Sequence, residues 1–280
     1  MGKADWDTGY FQAEVYKKAL EKMGYKVVGP TAMKPQVFYV AAAAGDMDLW
    51  VNGWFGNHDS YISEAKGKVK PVGYVAKSGG LQGYLIDKKT ADKFNIKSIM
   101  DIKKHAKEFD ANGDGKADMV ACHPGWGCEK IISKHFKELG LGDFINPIKA
   151  NYSAAMADII SRYKNGKSIL FYTWTPNWTV GTLKLGKDIV WIEAPFSETK
   201  KVSVPNATKA ELNMGFGVND IRPAANVDFL KANPKVEKLL NTASIPLADI
   251  ASQNLKMNKG EKSEKAIKKH AEEWIKANQS

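Results

Sequence analysis

Apolar residues recur at helical spacing near the start of the chain: Phe11, Val15, Ala19 and Met23 fall on one face, with Asp7 or Thr8 placed to cap and Gly24 to stop the helix. Tyr25–Val28 then reads as a strand, Val37–Ala44 as a helix ended by Gly45, and Met47–Val51 as a second strand. Lys77–Gly83, with three glycines, reads as a break before a strand at Tyr84–Ile86 and a helix from about Lys88. Further on, the pattern predicts helices over Ile131–Leu139 and Ala154–Lys164 and strands over Ile169–Thr173 and Asp188–Glu193. Glu198–Glu211 reads as polar surface and Met214–Val218 as a returning strand. Helices then follow at Val227–Ala232, Val236–Thr242, Leu247–Leu255 and Ser263–Ala277. Alternating strands and helices predict an α/β architecture with sheets covered on both faces.

Three tryptophans depart from this periodicity. Trp54 lies in Asn52-Gly-Trp-Phe-Gly-Asn-His58, Trp126 in Cys122-His-Pro-Gly-Trp-Gly-Cys128, and Trp174 in Tyr172-Thr-Trp-Thr-Pro-Asn-Trp178. Each segment reads as a loop or strand end, and indole faces converging on one point suit a quaternary ammonium cation. Trp50 is read as strand core, and Trp178 as packing for a following helix. If Phe55 opens a helix, His58 shares a face with Trp54. Turn residues ahead of Ile131 place Gly127, Cys128 and Glu129 at a helix N-terminus, where free amides and the positive dipole end favour a carboxylate.

Composition sharpens the reading. A net charge of +10 invites a nucleic-acid partner, but Arg162 and Arg222 are the sole arginines and the lysines are dispersed among acids. We therefore expect a solvated lysine-rich surface and no nucleic-acid partner. No stretch reaches the ~18 apolar residues that span a bilayer. Met1–Trp6 has no apolar signal core, so any export signal was removed or never existed. The two cysteines, Cys122 and Cys128, are spaced for a small disulfide loop, which implies an oxidising compartment such as a periplasm; a zinc site would have His123 alone beside them.

Asp110, Asn112, Asp114, Lys116 and Asp118 follow the opening spacing of a calcium loop, with Gly115 at the turn, although Ala121 stands where a bidentate glutamate is usual. Structural calcium is an expectation; a polar turn is the alternative. The nucleophile, zinc-protease, P-loop and dinucleotide motifs are absent, so a binding protein is expected rather than an enzyme acting on methylated amines.

The segments Gly83-Tyr-Leu-Ile-Asp-Lys-Lys-Thr-Ala91, Asp114-Gly-Lys-Ala-Asp118, Pro124-Gly-Trp-Gly-Cys-Glu129, Ile160-Ser-Arg-Tyr-Lys164 and Tyr172-Thr-Trp-Thr-Pro176 resemble the periplasmic glycine betaine/proline betaine-binding proteins of bacterial osmoprotectant ABC importers. The likeness runs from Ala19 to Lys276. It implies a type II solute-binding protein: one lobe of 1–83 with 214–280, another of 84–213, and two crossing strands as hinge. It also implies a box of Trp54, Trp126 and Trp174 around a trimethylammonium group between the lobes. The carboxylate would be held by indole N–H groups, His58 and the amides of Gly127 and Cys128, with Cys122 and Cys128 paired. A membrane permease is the implied partner, the periplasm the implied location, and a monomer the expected state. Glycine betaine leads as ligand, with trimethylamine N-oxide, dimethylsulfoniopropionate or choline as alternatives. Ala4–Tyr10 departs from the family pattern and introduces Trp6, a candidate fourth wall.

Overall fold

The computed structural model describes residues 1–278 and divides into two compact units. The first comprises Met1–Gly80, Pro176–Trp178 and the chain from Val218 onward; the second comprises Leu81–Thr175 and Thr179–Gly217. Each is a mixed sheet flanked by helices, the α/β class that the pattern predicts.

In the first unit the strand order is Thr31–Met33, Gly2–Ala4, Leu49–Phe55, Asn219–Asn226. The first three run parallel, and Asn219–Asn226 is antiparallel, with Ile221 opposite Trp54. Helix Tyr10–Lys22 buries Phe11, Val15, Tyr16 and Leu20. Each such apolar side chain contributes about 1.5–3 kcal/mol. The helix packs on Glu264–Ala277, where Ile267, Ala271 and Ile275 form the matching buried stripe and Phe11 meets Trp274 edge-on at 6.3 Å. Ser263 caps that last helix by accepting from the Ala266 amide.

In the second unit the latter half of Ala76–Asp87 lies between Leu170–Thr175 and Ile189–Ile192, antiparallel to both. Ala117–Val120 extends the sheet in parallel fashion from Leu170–Thr175 to Ile145–Ile148. Tyr84, Leu85, Ile86, Phe171 and Trp191 form its fully buried centre.

Three local expectations fail for physical reasons. Tyr25–Val28 forms no strand, and Val28 is 75% exposed; Pro30 has no N–H for a ladder, so regular pairing starts at Thr31. Lys77–Gly83 is no break but lies inside the continuous strand Ala76–Asp87. Its glycines serve close approach: a Cβ on Gly80 would stand 2.5 Å from the Trp54 ring. The returning strand is Asn219–Asn226 rather than Met214–Val218. It tolerates Pro223 through a register shift between Arg222 and Ala224, while the Pro223 carbonyl still accepts from Val72.

Candidate functional site

Two of the three tryptophans sit on strands rather than loops. Trp54 lies near the end of Leu49–Phe55, and Trp174 near the end of Leu170–Thr175. Their strand neighbours are buried from both sides, which is why period-two alternation gave no signal. Trp126 alone is a loop residue, occupying the cap position of helix Gly127–Glu138.

In the second unit, Trp126 and Trp174 meet edge-to-face, with centroids 5.7 Å apart and planes at 83°. Tyr152, at the first turn of helix Tyr152–Lys164, completes the cluster at 4.7 Å from Trp174 and 6.2 Å from Trp126. Its hydroxyl is anchored on Thr173 Oγ1 at 2.7 Å. Sequence reading missed Tyr152, because its approach to Trp174 depends on how helix and strand pack. All three rings are buried. The Trp174 Nε1–H is buried with no hydrogen-bond partner among the described residues, a costly state for a polar group.

The backbone around Trp126 is tightly fixed. Cys122 and Cys128 are joined as a disulfide with a Cα–Cα distance of 5.9 Å. Gly125 adopts φ +90°, a left-handed turn that other residues enter at a cost, and its amide donates to Glu129 Oε2 at 3.1 Å. Lys149 holds the other Glu129 oxygen at 3.0 Å. His123 lies against Trp126, with centroids 5.4 Å apart. Among the described residues no side chain makes a cap hydrogen bond at the start of the following helix, and Gly127 and Cys128 lie, as predicted, in its N-terminal turn, a position suited to an anion.

In the first unit, Trp6 and Trp54 are both buried and donate their indole N–H groups to Asn52 Oδ1 at 3.0 and 3.1 Å. The Asn52 amide in turn donates to Gln12 Oε1. The Trp54 N–H is therefore engaged by protein, at the position where the family resemblance implies an indole donor to the carboxylate. Phe55 closes the strand instead of opening a helix. His58 instead follows a turn in which its amide donates to the Trp54 carbonyl at 2.8 Å, and it precedes helix Asp59–Glu64. Its ring is boxed by Tyr39, Phe55 and Tyr61 at centroid distances of 5.6, 6.1 and 5.6 Å. Burial pulls the imidazole pKa down to about 3, so the ring is neutral at ordinary pH.

The Asp110 loop is an internally bonded turn. Asp110 accepts from the amides of Asn112, Gly113 and Gly115, and Asp114 accepts from Lys116 and the side chains of Asn112 and Asn146. Asp118 Oδ2 accepts from the Ala111 amide at 2.8 Å. These bonds hold both loop carboxyls, Asp110 and Asp114, below the usual carboxylate range. Among the described residues no group of three or more His, Cys, Asp or Glu is arranged to hold a metal ion.

Known proteins carry the same sequence pattern. The family described as the substrate-binding domain of the ABC-type glycine betaine transport system matches residues 1–277. The chain belongs to this family. It is 44% identical over 275 residues to the glycine betaine-binding periplasmic protein OusX of Dickeya dadantii, covering 96% of this chain and 83% of that protein. It is 43% identical over 278 residues to the glycine betaine/proline betaine-binding periplasmic protein of Salmonella typhimurium, with the same coverage of 96% and 83%. The fold is similar to that of the crystal structure of a glycine betaine, L-proline ABC transporter binding protein from Borrelia burgdorferi. There the TM-score is 0.77 at 18% identity, over 99% of this chain and 93% of that one. The family membership makes this chain a substrate-binding component of an ABC-type transport system, with a ligand to carry and a membrane permease to meet. The relatives are transport proteins named as periplasmic.

Proposed function

We propose that this protein captures glycine betaine, or a closely related zwitterion that pairs a methylated onium head with an anionic oxygen. The observation that carries this reading is the aromatic cluster of Trp126, Tyr152 and Trp174, built directly onto an uncapped helix N-terminus. Methylated ammonium is bulky, weakly hydrated and positively charged over its whole surface. An indole face stabilises it by about 2 kcal/mol when water is excluded. A carboxylate a few bonds away needs donors, and the amides at Gly127 and Cys128 supply them without adding a positive charge that would repel the onium. The first unit carries its own candidate contacts for such a ligand: the Trp54 ring, the His58 ring, and Trp6, tied to Trp54 through Asn52.

The protein acts as a binding protein, not an enzyme, and works as a monomer in the periplasm, handing ligand to its permease. The periplasmic names of its relatives and the Cys122–Cys128 disulfide support that location.

A thermal-shift panel tests the reading, since a ligand bound to the native state raises the melting temperature. It would contain glycine betaine, proline betaine, dimethylsulfoniopropionate, trimethylamine N-oxide, choline and carnitine. Stabilisation led by the carboxylated onium compounds supports it. No response to any member of the panel overturns it.

A further inference from the structure

The placement of one proton follows from a contact between His58 and Tyr39, a residue to which the family likeness gives no role. The Tyr39 hydroxyl lies 3.1 Å from His58 Nδ1, its sole hydrogen-bond partner among the described residues, and both groups are buried. A phenol has one hydrogen that needs an acceptor, and leaving it without one in the interior costs about 1–3 kcal/mol. If Nδ1 carried a hydrogen, two donors would face each other at one end of the pair or the phenol proton would be stranded. The Tyr39 O–H therefore donates to Nδ1, and the single hydrogen of the neutral His58 ring sits on Nε2. That nitrogen makes no hydrogen bond to any described residue.

The second unit contains the same pair with the answer fixed independently. Tyr84 lies 2.8 Å from His135 Nδ1, and His135 Nε2 lies 2.7 Å from the Gly215 carbonyl. A carbonyl oxygen only accepts, so Nε2 must carry the hydrogen and Tyr84 must donate to Nδ1. In that pair the protein's own carbonyl completes the relay. In the Tyr39–His58 pair the corresponding partner is left to a ligand.

We propose that Tyr39 is a positioning residue for ligand selection: it holds His58 as the neutral Nε2–H tautomer, so the ring offers a fixed hydrogen-bond donor to an anionic oxygen of the ligand. This rests on the functional reading above and deepens it. A neutral donor recognises a carboxylate without placing a cation near the onium head, which an imidazolium would do. It also separates ligands that end in an anionic oxygen from those that end in an alcohol, whose oxygen is a weaker acceptor. Burial keeps the pair in this state, since it lowers the affinity of His58 for a proton and raises that of Tyr39.

The test combines imidazole nitrogen spectroscopy with ligand titration. In the unliganded wild-type protein, two-bond hydrogen–nitrogen correlation should show His58 and His135 with unprotonated Nδ1 and protonated Nε2. In Tyr39→Phe, glycine betaine affinity should fall about fivefold, the loss of one ordinary hydrogen-bond contribution, while choline affinity changes by less than about twofold. In a His58→Gln background, whose amide donor needs no tautomer control, adding Tyr39→Phe should cost no more. An Nδ1–H tautomer of His58 in the wild type, or an unchanged preference for glycine betaine over choline in a folded Tyr39→Phe, overturns the assignment. A wild-type protein that binds neither ligand overturns the functional reading instead, and the spectrum of the unliganded protein keeps the two failures apart.

Discussion

Trp6 and Trp54 donate to one and the same oxygen, Asn52 Oδ1, at 3.0 and 3.1 Å. One carboxamide thus fixes the orientation of two large rings, and Gln12 fixes the carboxamide. Replacing Asn52 by leucine removes the shared acceptor and strands two buried donors, each at a cost of about 1–3 kcal/mol. We expect Asn52→Leu to lower the melting temperature and red-shift tryptophan emission, with glycine betaine binding weakened about tenfold. Emission and affinity that match the wild type would show that the two indoles hold their places without Asn52.

Trp126 is the ring most directly tied to the helix start proposed to hold the ligand's carboxylate, since it occupies the N-cap position just ahead of Gly127 and Cys128. Trp126→Ala should therefore weaken glycine betaine by more than about tenfold, in line with ~2 kcal/mol for a desolvated cation–π face, while circular dichroism stays unchanged. Trp126→Phe should recover part of that loss. Calorimetry with equal affinity in Trp126→Ala and wild type would remove this ring from the binding surface.

The Cys122–Cys128 bridge closes a loop with a sequence separation of 6 that contains Trp126. Its contribution to global stability should be modest, about 2 kcal/mol, because short loops have little closure entropy to lose. Its effect on the ligand should be the larger one, since it holds both the Trp126 loop and the Cys128 amide. Paired Cys122→Ser and Cys128→Ser substitutions are expected to weaken binding more than they lower the melting temperature. Intact affinity in the double variant would mean that Gly125 and Glu129 suffice to hold the loop.

Acid should destabilise the fold through two buried histidines. Burial lowers the pKa of His58 to about 3 and of His135 to about 4, both below the usual 6.5. The unfolded chain therefore binds more protons than the folded one between about pH 6.5 and those values, and stability falls as pH drops through that window. Equilibrium unfolding should show a decline on going from pH 7.5 to 5.5, and His135→Gln should flatten part of it. A flat profile in the wild type would show that these rings titrate normally.

Much of the scaffold was legible because amphipathic helices announce themselves. The helices at Val227–Ala232, Tyr152–Lys164 and Glu264–Ala277 fall where their apolar spacing and caps place them. The strand Ala76–Asp87 was not, since its glycines mimic a loop and their purpose, room for the Trp54, Trp191 and Met214 side chains, exists only in three dimensions. The site divides the same way. Trp54, His58, Trp126 and Trp174 stand out as chemistry in unusual local sequence. Asn52, Tyr39 and Tyr152 do not, because their roles are hydrogen bonds and ring contacts to residues remote in the chain or hidden behind a neighbour.

Selection of a methylated onium head joined to an anionic oxygen can be measured directly. Isothermal titration of the purified chain with glycine betaine and, in parallel, with glycine isolates the contribution of the methyl groups, because the two ligands share the carboxylate and the positive charge. Saturable one-to-one binding of glycine betaine is expected, with no measurable heat from glycine at the same concentrations. Equal binding of both, or binding of neither, would contradict it.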